Sequence, residues 1–536
     1  MHEDQSKEAA REAGQRVGVK ASVRGIPWFP WITAVVVALA MGWVRAQPEW
    51  ERNLKAWTMA LLPLTGLLVL LGWFLATRRF PARVRWAGLG CVLLLGAAAG
   101  VLLRVDGTVN GTGLPRFAWR MHGPAKPLGA VGEIRPGGAT TRAPRLAGLA
   151  DFPQFMGPER RGVLAGARIN TRWTASMPKE IWRRPIGLGW SSFAIVDGQA
   201  WTQEQVDGEE RVTCLDVATG STLWSHAERT RFSEWQGGDG PRATPTVHGG
   251  RVFAMGGTGI LACLDAGDGR LAWRRSVLEE NGLSNLTWGT SASPLVVDDL
   301  VVVTGGKGAG GTLLAYRVAD GSLAWKAGEE DASYASPILA TLAGRRVVLS
   351  SNARHLTAHD PATGREWMRH PWGAATWPRA SQPVVLPGDR VFVSAGYGMG
   401  CQVVHVVVND GRQWVAETLW KGVTMKTQFN SAALHDGHLY GLDDGLLACI
   451  DAGTGRRLWK DGRYGSGQTL IVGDTIVVQN EAGPVHVCAA SPEGFRELGR
   501  IEALGSKTWN HPVVAGRYLL VRNDREATCW DLGDVE

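Results

Sequence analysis

CLDVATGSTLW, residues 214–224, is the clearest copy of a pattern that returns along the chain. Further copies are CLDAGDGRLAW (263–273), AYRVADGSLAW (315–325), AHDPATGREWM (358–368) and CIDAGTGRRLW (449–459). Weaker copies surround Trp420 and Leu498, and Trp182 opens the series. Successive copies end about 40–50 residues apart, a period typical of β-propeller blades. The repeat therefore predicts the fold of residues 151–536.

One copy of the repeat can be assigned strand by strand. RVFAMG (251–256) and ILACLDA (260–266) are rich in β-formers, GDG is a tight turn, and LAWR begins an outer strand. An innermost strand comes before them, marked in other copies by segments such as SASPLVV (291–297) and WNHPVVA (509–515). Counting one outer strand for each copy, we expect an all-β, eight-bladed β-propeller.

The two ends of the repeat region complement each other. TCWDL (528–532) matches the third strand of a blade, whereas EIWRR (180–184) matches a fourth strand that no blade precedes. Pairing the two segments would close the ring and remove both sheet edges.

Composition argues against several classes of protein. The net charge is +7, yet Lys and Arg form no compact cluster in the sequence, so we predict no nucleic-acid partner. The seven Cys include no CxxC pair, and Cys214, Cys263 and Cys449 occupy one position of different blades. We therefore expect small buried side chains and no metal site.

Three apolar runs precede the repeats, at residues 28–44, 57–76 and 86–103. Each is close to the roughly 20 residues that cross a bilayer, and Trp residues stand near their ends. A cleaved signal peptide agrees less well with the polar arm before the first run and the two runs after it. We expect three N-terminal transmembrane helices.

Positive charge predicts the orientation of these helices. Basic residues are concentrated in the arm before the first run and in the loop after the second: Lys7, Arg11, Arg16, Lys20, Arg24, Arg78, Arg79, Arg83 and Arg85. The positive-inside rule then leaves the repeats outside the cytoplasm, on a multi-pass protein of the inner membrane. The expected domains are a cytoplasmic arm (1–26), the spans (27–105), a Gly/Pro-rich linker (106–150) and the propeller (151–536).

The repeats resemble those of pyrroloquinoline quinone (PQQ) dehydrogenases and of an outer-membrane assembly lipoprotein with the same eight-bladed fold. The DxxTGxxxW strings carry this resemblance, together with the lead-in DFPQFMGPERRG (151–162). GWSSFAIVDGQAWTQEQ (189–205) and KTWNHPV (507–513) are similar to segments of a membrane-anchored subgroup. The resemblance implies either an oxidoreductase that holds PQQ with Ca²⁺ or a module that binds envelope proteins.

The sequence departs from the quinoprotein enzymes in two ways. The adjacent Cys-Cys pair of those enzymes is missing from the sequence. Calcium takes six to eight oxygen ligands, but the innermost segments hold hardly any Asp or Glu, and Asp239 and Glu204 are the nearest candidates. We therefore assign no catalytic residue and leave open whether the chain is an enzyme.

Propellers bind ligands at the mouth of the central channel, where the innermost strands and the loops before them converge. Candidates in those segments are Arg242, Trp288, Tyr334, Arg379, Lys426, Asn430, Gln468, Trp509, Asn510 and His511, with Trp190 and Gln203 beside them. The cations can converge on a small anion, and a Trp can stack on a planar ring. The alternative is that these residues line a water-filled channel and hold loops together. For His511 the alternatives are a general base and a hydrogen-bonded structural residue.

Two functions follow from this sequence, with a sensor of an envelope ligand as a third. The first is a membrane-tethered propeller that binds or scaffolds an envelope protein. The second is a PQQ-dependent oxidoreductase for alcohols or sugars that passes electrons to the membrane.

Overall fold

The computed structural model describes residues 27–47, 50–109, 112–121, 143–173, 175–373, 378–409 and 413–535. The predicted cytoplasmic arm and residues 122–142 of the predicted linker lie outside these ranges. The chain forms two compact units, a helical unit within residues 27–97 and a β-rich unit within residues 98–535, which also includes residues 51–53.

The helical unit contains the three predicted apolar runs as helices: α1 (Trp28–Ala46), α2 (Arg52–Ala76) and α3 (Ala82–Leu102). All three are long and apolar enough to cross a membrane. In α1, α2 and α3 only Val44 and Gly66 are buried among the described residues, so most apolar side chains face outward. A surface of this kind is matched to lipid rather than to water.

Small residues let these helices approach one another. A Cβ added at Gly66 of α2 would lie 2.9 Å from Val37 of α1, and one added at Gly88 of α3 would lie 2.6 Å from Phe74 of α2. Glycines at helix contacts are typical of packing within membranes.

In the described residues of the β-rich unit, eight sheets have four or five strands, and each is built mainly from consecutive antiparallel strands. Sheet 1 contains β5 (Ala194–Val196), β6 (Gln199–Val206), β7 (Glu209–Asp216) and β8 (Thr222–Glu228). Sheet 2 contains β9 (Thr246–His248), β10 (Arg251–Met255), β11 (Ile260–Asp265) and β12 (Leu271–Ser276), followed by α4 (Val277–Glu280). Sheet 3 contains β13 (Leu295–Val297), β14 (Leu300–Thr304), β15 (Leu313–Arg317) and β16 (Leu323–Ala327). Sheet 4 contains β17 (Ile338–Leu342), β18 (Arg345–Ser351), β19 (His355–His359) and β20 (Glu366–Pro371).

The remaining sheets repeat this order. Sheet 5 contains β21 (Val384–Leu386), β22 (Arg390–Ala395), β23 (Gly400–Val408) and β24 (Trp414–Gly422). Sheet 6 contains β25 (Ala433–His435), β26 (His438–Asp443), β27 (Leu446–Asp451) and β28 (Arg457–Asp461). Sheet 7 contains β29 (Gln468–Val472), β30 (Thr475–Gln479), β31 (Val485–Ala489) and β32 (Glu497–Ile501), with β3 (Val163–Leu164) parallel to β29. Sheet 8 contains β33 (Val513–Ala515), β34 (Tyr518–Arg522), β35 (Glu526–Asp531) and β4 (Lys179–Pro185).

The apolar core is divided among the junctions between consecutive sheets. One cluster joins Trp224 of sheet 1 to Val252 of sheet 2. The largest joins Val477 of sheet 7, Leu519 of sheet 8 and Leu215 of sheet 1. The sheets are thus held face to face, and the last sheet contacts the first.

The Trp of each repeat fastens its sheet to the turn of the next. Its indole Nε1 donates to a carbonyl oxygen of that turn: Trp182 to Val217 (2.8 Å), Trp224 to Ala266 (3.1 Å), Trp273 to Val318 (2.9 Å), Trp325 to Pro361 (3.0 Å), Trp420 to Ala452 (3.2 Å) and Trp459 to Ser491 (2.8 Å). We call this contact the Trp clasp.

The Gly and Asp of the repeat give the turn the conformation that the Trp clasp requires. Gly269 has a φ of 75°, and a Cβ added there would lie 2.4 Å from the ring of Trp224. Asp265 Oδ1 accepts the N–H groups of Gly267 (2.8 Å) and Asp268 (3.2 Å) and holds the turn in shape. Glycine is therefore required twice, by its backbone conformation and by the ring that covers it.

In five of the six clasps a Cys or Ala lies opposite the Trp on the neighbouring strand, where a β-bulge follows; Val403 takes this position opposite Trp420. The pairs are Cys214 with Trp224, Cys263 with Trp273, Ala315 with Trp325, Cys449 with Trp459 and Cys529 with Trp182. Apart from Cys91, which is exposed, the cysteines are buried and none forms a disulfide in the described residues. The prediction of small buried cysteines is confirmed for these blade positions.

Sheet 4 departs from the repeat. Met368 replaces the Trp, and the neighbouring Trp367 instead packs against Trp414 of sheet 5 at 5.9 Å between ring centroids. Part of the next turn, at residues 410–412, lies outside the described residues. The junction between sheets 4 and 5 is therefore made by other contacts than the clasp.

The predicted pairing of the two ends is confirmed. Strand β4 pairs antiparallel with β35, with Cys529 opposite Trp182. The guanidinium of buried Arg522 in sheet 8 donates from Nη1 to the carbonyl of Gln203 in sheet 1 (2.7 Å) and from Nη2 to that of Gly187, between β4 and β5 (2.9 Å).

The stretch predicted as a linker contains ordered structure. Strands β1 (Leu103–Thr108) and β2 (Pro115–Trp119) form a hairpin. Further along, Leu149 is buried in the core and the Tyr518 hydroxyl donates to the carbonyl of Ala147 (2.9 Å). The Gly and Pro content obscured these short elements in the sequence.

The two roles of the clasp glycine can be separated by a pair of variants in sheet 2. Gly250 has a φ of 72° and open space around it, so Gly250→Ala should lower the free energy of unfolding by about 1 kcal/mol through strain alone. Gly269→Ala adds overpacking against Trp224 and should cost about 3 kcal/mol. Chemical denaturation of both variants measures the difference, and equal losses would refute the clasp as a close-packed contact.

Candidate functional site

Eight equivalent residues surround the channel where the innermost strands begin; seven lie two positions before the strand, and Thr469 is the second residue of β29. They are Ser192, Thr244, Ser293, Ser336, Gln382, Ser431, Thr469 and His511, and all are buried. We call them the channel belt. Most of them bond to the next sheet: the backbone N–H of Ser192 donates to the Thr244 hydroxyl (3.0 Å), that of Thr244 to Ser293 (2.9 Å), that of Ser293 to Ser336 (2.9 Å) and that of Gln382 to Ser431 (3.0 Å).

The belt divides the channel into two ends. Because the innermost strand continues from the belt residue in every sheet, the segments before the belt converge at one end and the strands lead to the other. The candidates predicted from the sequence come from the segments before the belt or from the belt itself, so we call that end the mouth.

An aromatic group lies at the mouth. The ring centroid of Trp509 is 5.0 Å from Trp190 and 5.0 Å from Phe429. Lys507 Nζ sits 3.6 Å from the centroid of the Trp509 ring, and burial lowers the pKa of Lys507 to about 8. The Trp509 indole N–H donates to Glu481 Oε1 (2.8 Å). Trp190 comes from the segment before sheet 1, whereas the other residues come from loops at sheets 6 to 8, so the group joins the two ends of the repeat region.

A second aromatic pair is connected to this group through one loop. Trp288 and Tyr334 meet edge to face with centroids 5.5 Å apart. The Trp190 N–H donates to the carbonyl of Gly237 (2.6 Å), and a Cβ added at Gly237 would lie 3.1 Å from Trp288. The structure thus brings four of the predicted aromatic residues to the mouth.

The predicted cations are engaged by oxygens of the chain itself. Arg242 donates to the carbonyls of Gly240 (2.6 Å) and Gly238 (2.7 Å), and Arg379 Nε donates to that of Trp372 (3.0 Å). Burial lowers the pKa of each of these arginines to about 10, so both stay charged at neutral pH.

The third cation, Lys426, lies in a cluster of carboxylates. Its Nζ is 2.9 Å from Asp443 Oδ1 and 3.4 Å from Asp444 Oδ2. Burial lowers the pKa of Lys426, but these carboxylates raise it by more. The cations therefore do not converge on one anion.

The predicted amides bridge backbone segments. Gln468 Nε2 donates to the carbonyls of Phe429 (2.9 Å) and Trp509 (3.0 Å). Gln203 Nε2 donates to Ala243 (2.6 Å) and Met255 (3.1 Å). Two amides of the belt region behave alike: Asn510 donates to the carbonyl of Ser191 (2.7 Å), and Asn430 accepts the N–H of Leu442 (3.3 Å).

His511 is a buried member of the belt. Its Nε2 lies 3.1 Å from the carbonyl oxygen of Thr469, and Nδ1 lies 2.8 Å from that of Pro512. Burial lowers the pKa of His511 to about 4, so the imidazole is neutral at pH 7. This geometry suits a structural residue.

The two carboxylates considered in the sequence as calcium ligands, Glu204 and Asp239, do not form a calcium site. Glu204 accepts the Gly187 N–H (2.5 Å) and the Thr213 hydroxyl (2.6 Å). Asp239 accepts the Ser233 hydroxyl (2.7 Å) and a guanidinium N–H of Arg231 (3.0 Å). Their oxygens serve separate loops, whereas Ca²⁺ needs six to eight convergent oxygens. The carboxylates do not converge, and the side chains of Arg242, Arg379 and Lys426 are already bonded to oxygens of the chain. These residues therefore do not fit PQQ with Ca²⁺.

Some residues of the mouth were not predicted from the sequence. Phe429 and Lys507 stand next to predicted positions, and their contribution depends on loops that fold back over Trp509. Glu481 comes from the loop after β30, which carries no repeat signal. Phe429 and Lys507 could have been predicted from one pattern, the alternation of aromatic residues with cations in the segments before the belt.

Comparison with known proteins agrees with the repeats. Residues 208–461 match the family model described as outer membrane protein assembly factor BamB. The chain is 24% identical to BamB of Burkholderia pseudomallei over 66% of this chain and 89% of the relative. It is 23% identical to BamB of Bordetella pertussis over 72% of this chain and 96% of the relative.

A solved structure supports the fold. The quinohemoprotein alcohol dehydrogenase of Comamonas testosteroni superimposes with a TM-score of 0.53 at 13% identity, over 72% of this chain and 81% of that one. At this identity the likeness shows the fold alone. The chain is thus a protein of PQQ-like β-propeller repeats.

The burial of His511 predicts a pH dependence of stability. In the unfolded chain its pKa returns to about 6.5, so the unfolded chain binds the proton first and stability is lost as the pH falls from about 6.5 toward 4. Between pH 7 and pH 5 the wild type should lose about 2 kcal/mol more free energy of unfolding than His511→Asn. Urea denaturation at both pH values measures this.

Exposed His248 provides the control for that measurement. The variant His248→Asn should keep the pH dependence of the wild type. If His511→Asn also keeps it, His511 is not the buried neutral group described above.

Proposed function

Taking the chain as a protein of PQQ-like repeats, we propose that it is a membrane-anchored, extracytoplasmic scaffold that binds another protein of the cell envelope. In this proposal the eight sheets are the eight blades of one propeller. Relatives called outer membrane protein assembly factors support it, because the similarity extends over most of their length. Since a fold does not determine a function, the surface of the mouth carries the argument.

An exposed Trp on a rigid loop is the observation that carries the proposal. Trp235 is 58% exposed at the edge of the mouth. Glu234 caps the loop by accepting the N–H groups of Gln236 (2.9 Å) and Gly237 (2.5 Å), and Asp239 accepts the Ser233 hydroxyl (2.7 Å). A Trp held in this way binds at a small cost in entropy, and Trp is enriched among residues that dominate protein interfaces.

The surroundings of Trp235 resemble a small interface. Leu188 is 36% exposed and lies next to the same loop, because a Cβ added at Gly240 would be 2.6 Å from its carbonyl oxygen. Arg231 pairs with Asp239 at 3.0 Å on the exposed side. Apolar groups with a charged rim are typical of protein-binding patches.

The oxidoreductase alternative is supported less well by the residues. A tricarboxylate quinone needs free cationic donors, whereas Arg242, Arg379 and Lys426 are bonded to oxygens of the chain. The scaffold needs no such donors.

The three apolar helices support the membrane anchor, and charge supports its orientation. Arg78, Arg79, Arg83 and Arg85 stand in or next to the loop between α2 and α3. Retention of this loop in the cytoplasm places the repeats on the other side of the membrane. We therefore propose a multi-pass protein of the inner membrane with its propeller in the periplasm.

Reporter fusions test this orientation. Alkaline phosphatase fused after Asp151 should be active, because the enzyme requires the oxidising side of the membrane. A fusion after Phe80, in the loop between α2 and α3, should be inactive and serves as the matched control. An inactive fusion at Asp151, with a fluorescent cytoplasmic reporter active at the same site, would contradict the topology.

A photo-crosslinking amino acid at position 235 tests the binding surface. In living cells, the reporter at this position should crosslink to a discrete envelope protein. The same reporter at Leu323, which is 45% exposed on the outer strand of sheet 3, should not. Trp235→Ala should then reduce co-purification of the identified partner about tenfold or more, as expected for a central interface Trp. Leu323→Ala should leave it unchanged.

Other results would favour a different function. Equal crosslinking from both positions, or none from position 235, would refute the proposed surface. Calorimetric titration with PQQ and Ca²⁺, followed by a dye-linked assay with alcohols and sugars, tests the enzyme directly. Tight binding with turnover would overturn the scaffold.

A further inference from the structure

The end of the channel opposite the mouth contains a cavity of about 380 Å³. Its walls are formed by residues in or next to the innermost strands of sheets 4, 5, 6 and 8, such as Leu339, Val384, Leu434 and Val514. The lead-in and the residues after it, up to Ala167, cover the cavity, with Met156 and Arg160 among the lining groups. The volume lies within the roughly 300–1,000 Å³ that small-molecule sites occupy.

Arg160 brings a buried positive charge to this cavity. The residue is 3% exposed. Nη1 donates to the carbonyl of Pro294 (2.8 Å) and to Gln154 Oε1 (3.3 Å), and Nη2 donates to the carbonyl of Ser293 (2.9 Å). These partners are neutral oxygens, and within the described ranges of the chain Nε–H has no partner. Burial lowers the pKa of Arg160 to about 9, which leaves the group charged at neutral pH.

The other charged groups lining the cavity are already paired. Glu159 lies 3.3 Å from Arg161, and Asp151 lies 3.3 Å from Arg145. Neither of these carboxylates therefore balances the positive charge of Arg160. A buried charge without a counter-ion is unfavourable, and a bound anion would relieve it.

Gln382 adds an unsatisfied amide to the same cavity. It is 2% exposed, and neither Oε1 nor Nε2 has a hydrogen-bond partner among the described residues. The other belt positions carry Ser, Thr or His, whereas the longer side chain of Gln382 lines the cavity. A buried amide left in this state costs about 1–3 kcal/mol, so a ligand that bonds to it gains affinity.

We propose that this cavity binds a small carboxylate with an apolar body, its carboxylate accepting N–H groups of Arg160 and Gln382 and its body lying against the strand side chains. The aliphatic walls exclude a highly polar anion such as inorganic phosphate, which has no apolar part to bury. A free short-chain acid and the carboxyl terminus of an apolar peptide both have this chemistry. The proposal is independent of protein binding at the mouth.

Calorimetric titration of the full chain in lipid nanodiscs tests the proposal, with empty nanodiscs as the blank. The probes are hexanoate, its neutral isostere hexanamide and the dipeptide N-acetyl-valyl-leucine. We expect one site per chain for hexanoate or the dipeptide, and at least about tenfold weaker binding of hexanamide, because it cannot balance the charge of Arg160. Comparison of the two acids distinguishes a free acid from a peptide terminus.

Two variants locate the site. Gln382→Leu keeps the size of the side chain and should weaken binding of the acid about tenfold. Gln402→Leu makes the same change elsewhere in sheet 5, where the amide lies outside the cavity, and should bind as the wild type does. Arg160→Gln should remove the preference for the acid over hexanamide. If Arg160→Gln does not fold, the result for Gln382→Leu alone tests the proposal.

Three results would overturn the proposal. They are equal binding of hexanoate and hexanamide to the wild type, unchanged binding to Gln382→Leu, and no binding of either acid. The last result would mean that water satisfies Gln382.

Discussion

The contact between a Trp of one sheet and the glycine turn of the next controls the assembly of the β-rich unit. A buried aromatic side chain covers about 150–250 Å², and here it does so only because the turn has no Cβ in its way. The indole N–H also fixes the height of the ring by bonding to a carbonyl of that turn. At six of the eight junctions in the described part of the chain, one residue thereby places a sheet relative to its neighbour, and the repeat of that residue repeats the geometry.

Inside the ring, the constraint is the satisfaction of polar groups away from water. The channel belt satisfies these groups, because its side-chain oxygens accept backbone N–H groups of the adjacent sheet. The same demand explains why Arg242, Arg379 and Gln468 turn to nearby carbonyls. After these bonds are made, the mouth presents mainly aromatic side chains. At the other end of the channel, Arg160 and Gln382 keep N–H groups that are unpaired within the described residues, and Gln382 departs from the Ser, Thr or His of the other belt positions.

The sequence predicted the parts of this structure that local patterns encode. Strand order, the pairing of β4 with β35 and the three helices follow from periodicity, because alternation and turn residues specify them directly. The direction of long side chains could not be predicted in this way. Arg379 has the right residue type for an anion site, but its guanidinium reaches the carbonyl of Trp372, seven positions earlier. Lys507 and Arg160 were missed for the same reason, since their surroundings arise from loops that carry no repeat.

The closure of sheet 8 makes the last step of folding a long-range one. Arg183 of β4 bonds to Glu526 of β35 across 343 positions of sequence. Such a contact is reached only after a large loss of chain entropy, so we expect it to form late, when most sheets are already in place. Until then β4 and β35 each present an open edge to other chains. The time that β4 needs to reach β35 therefore sets how long each new chain can aggregate with its copies.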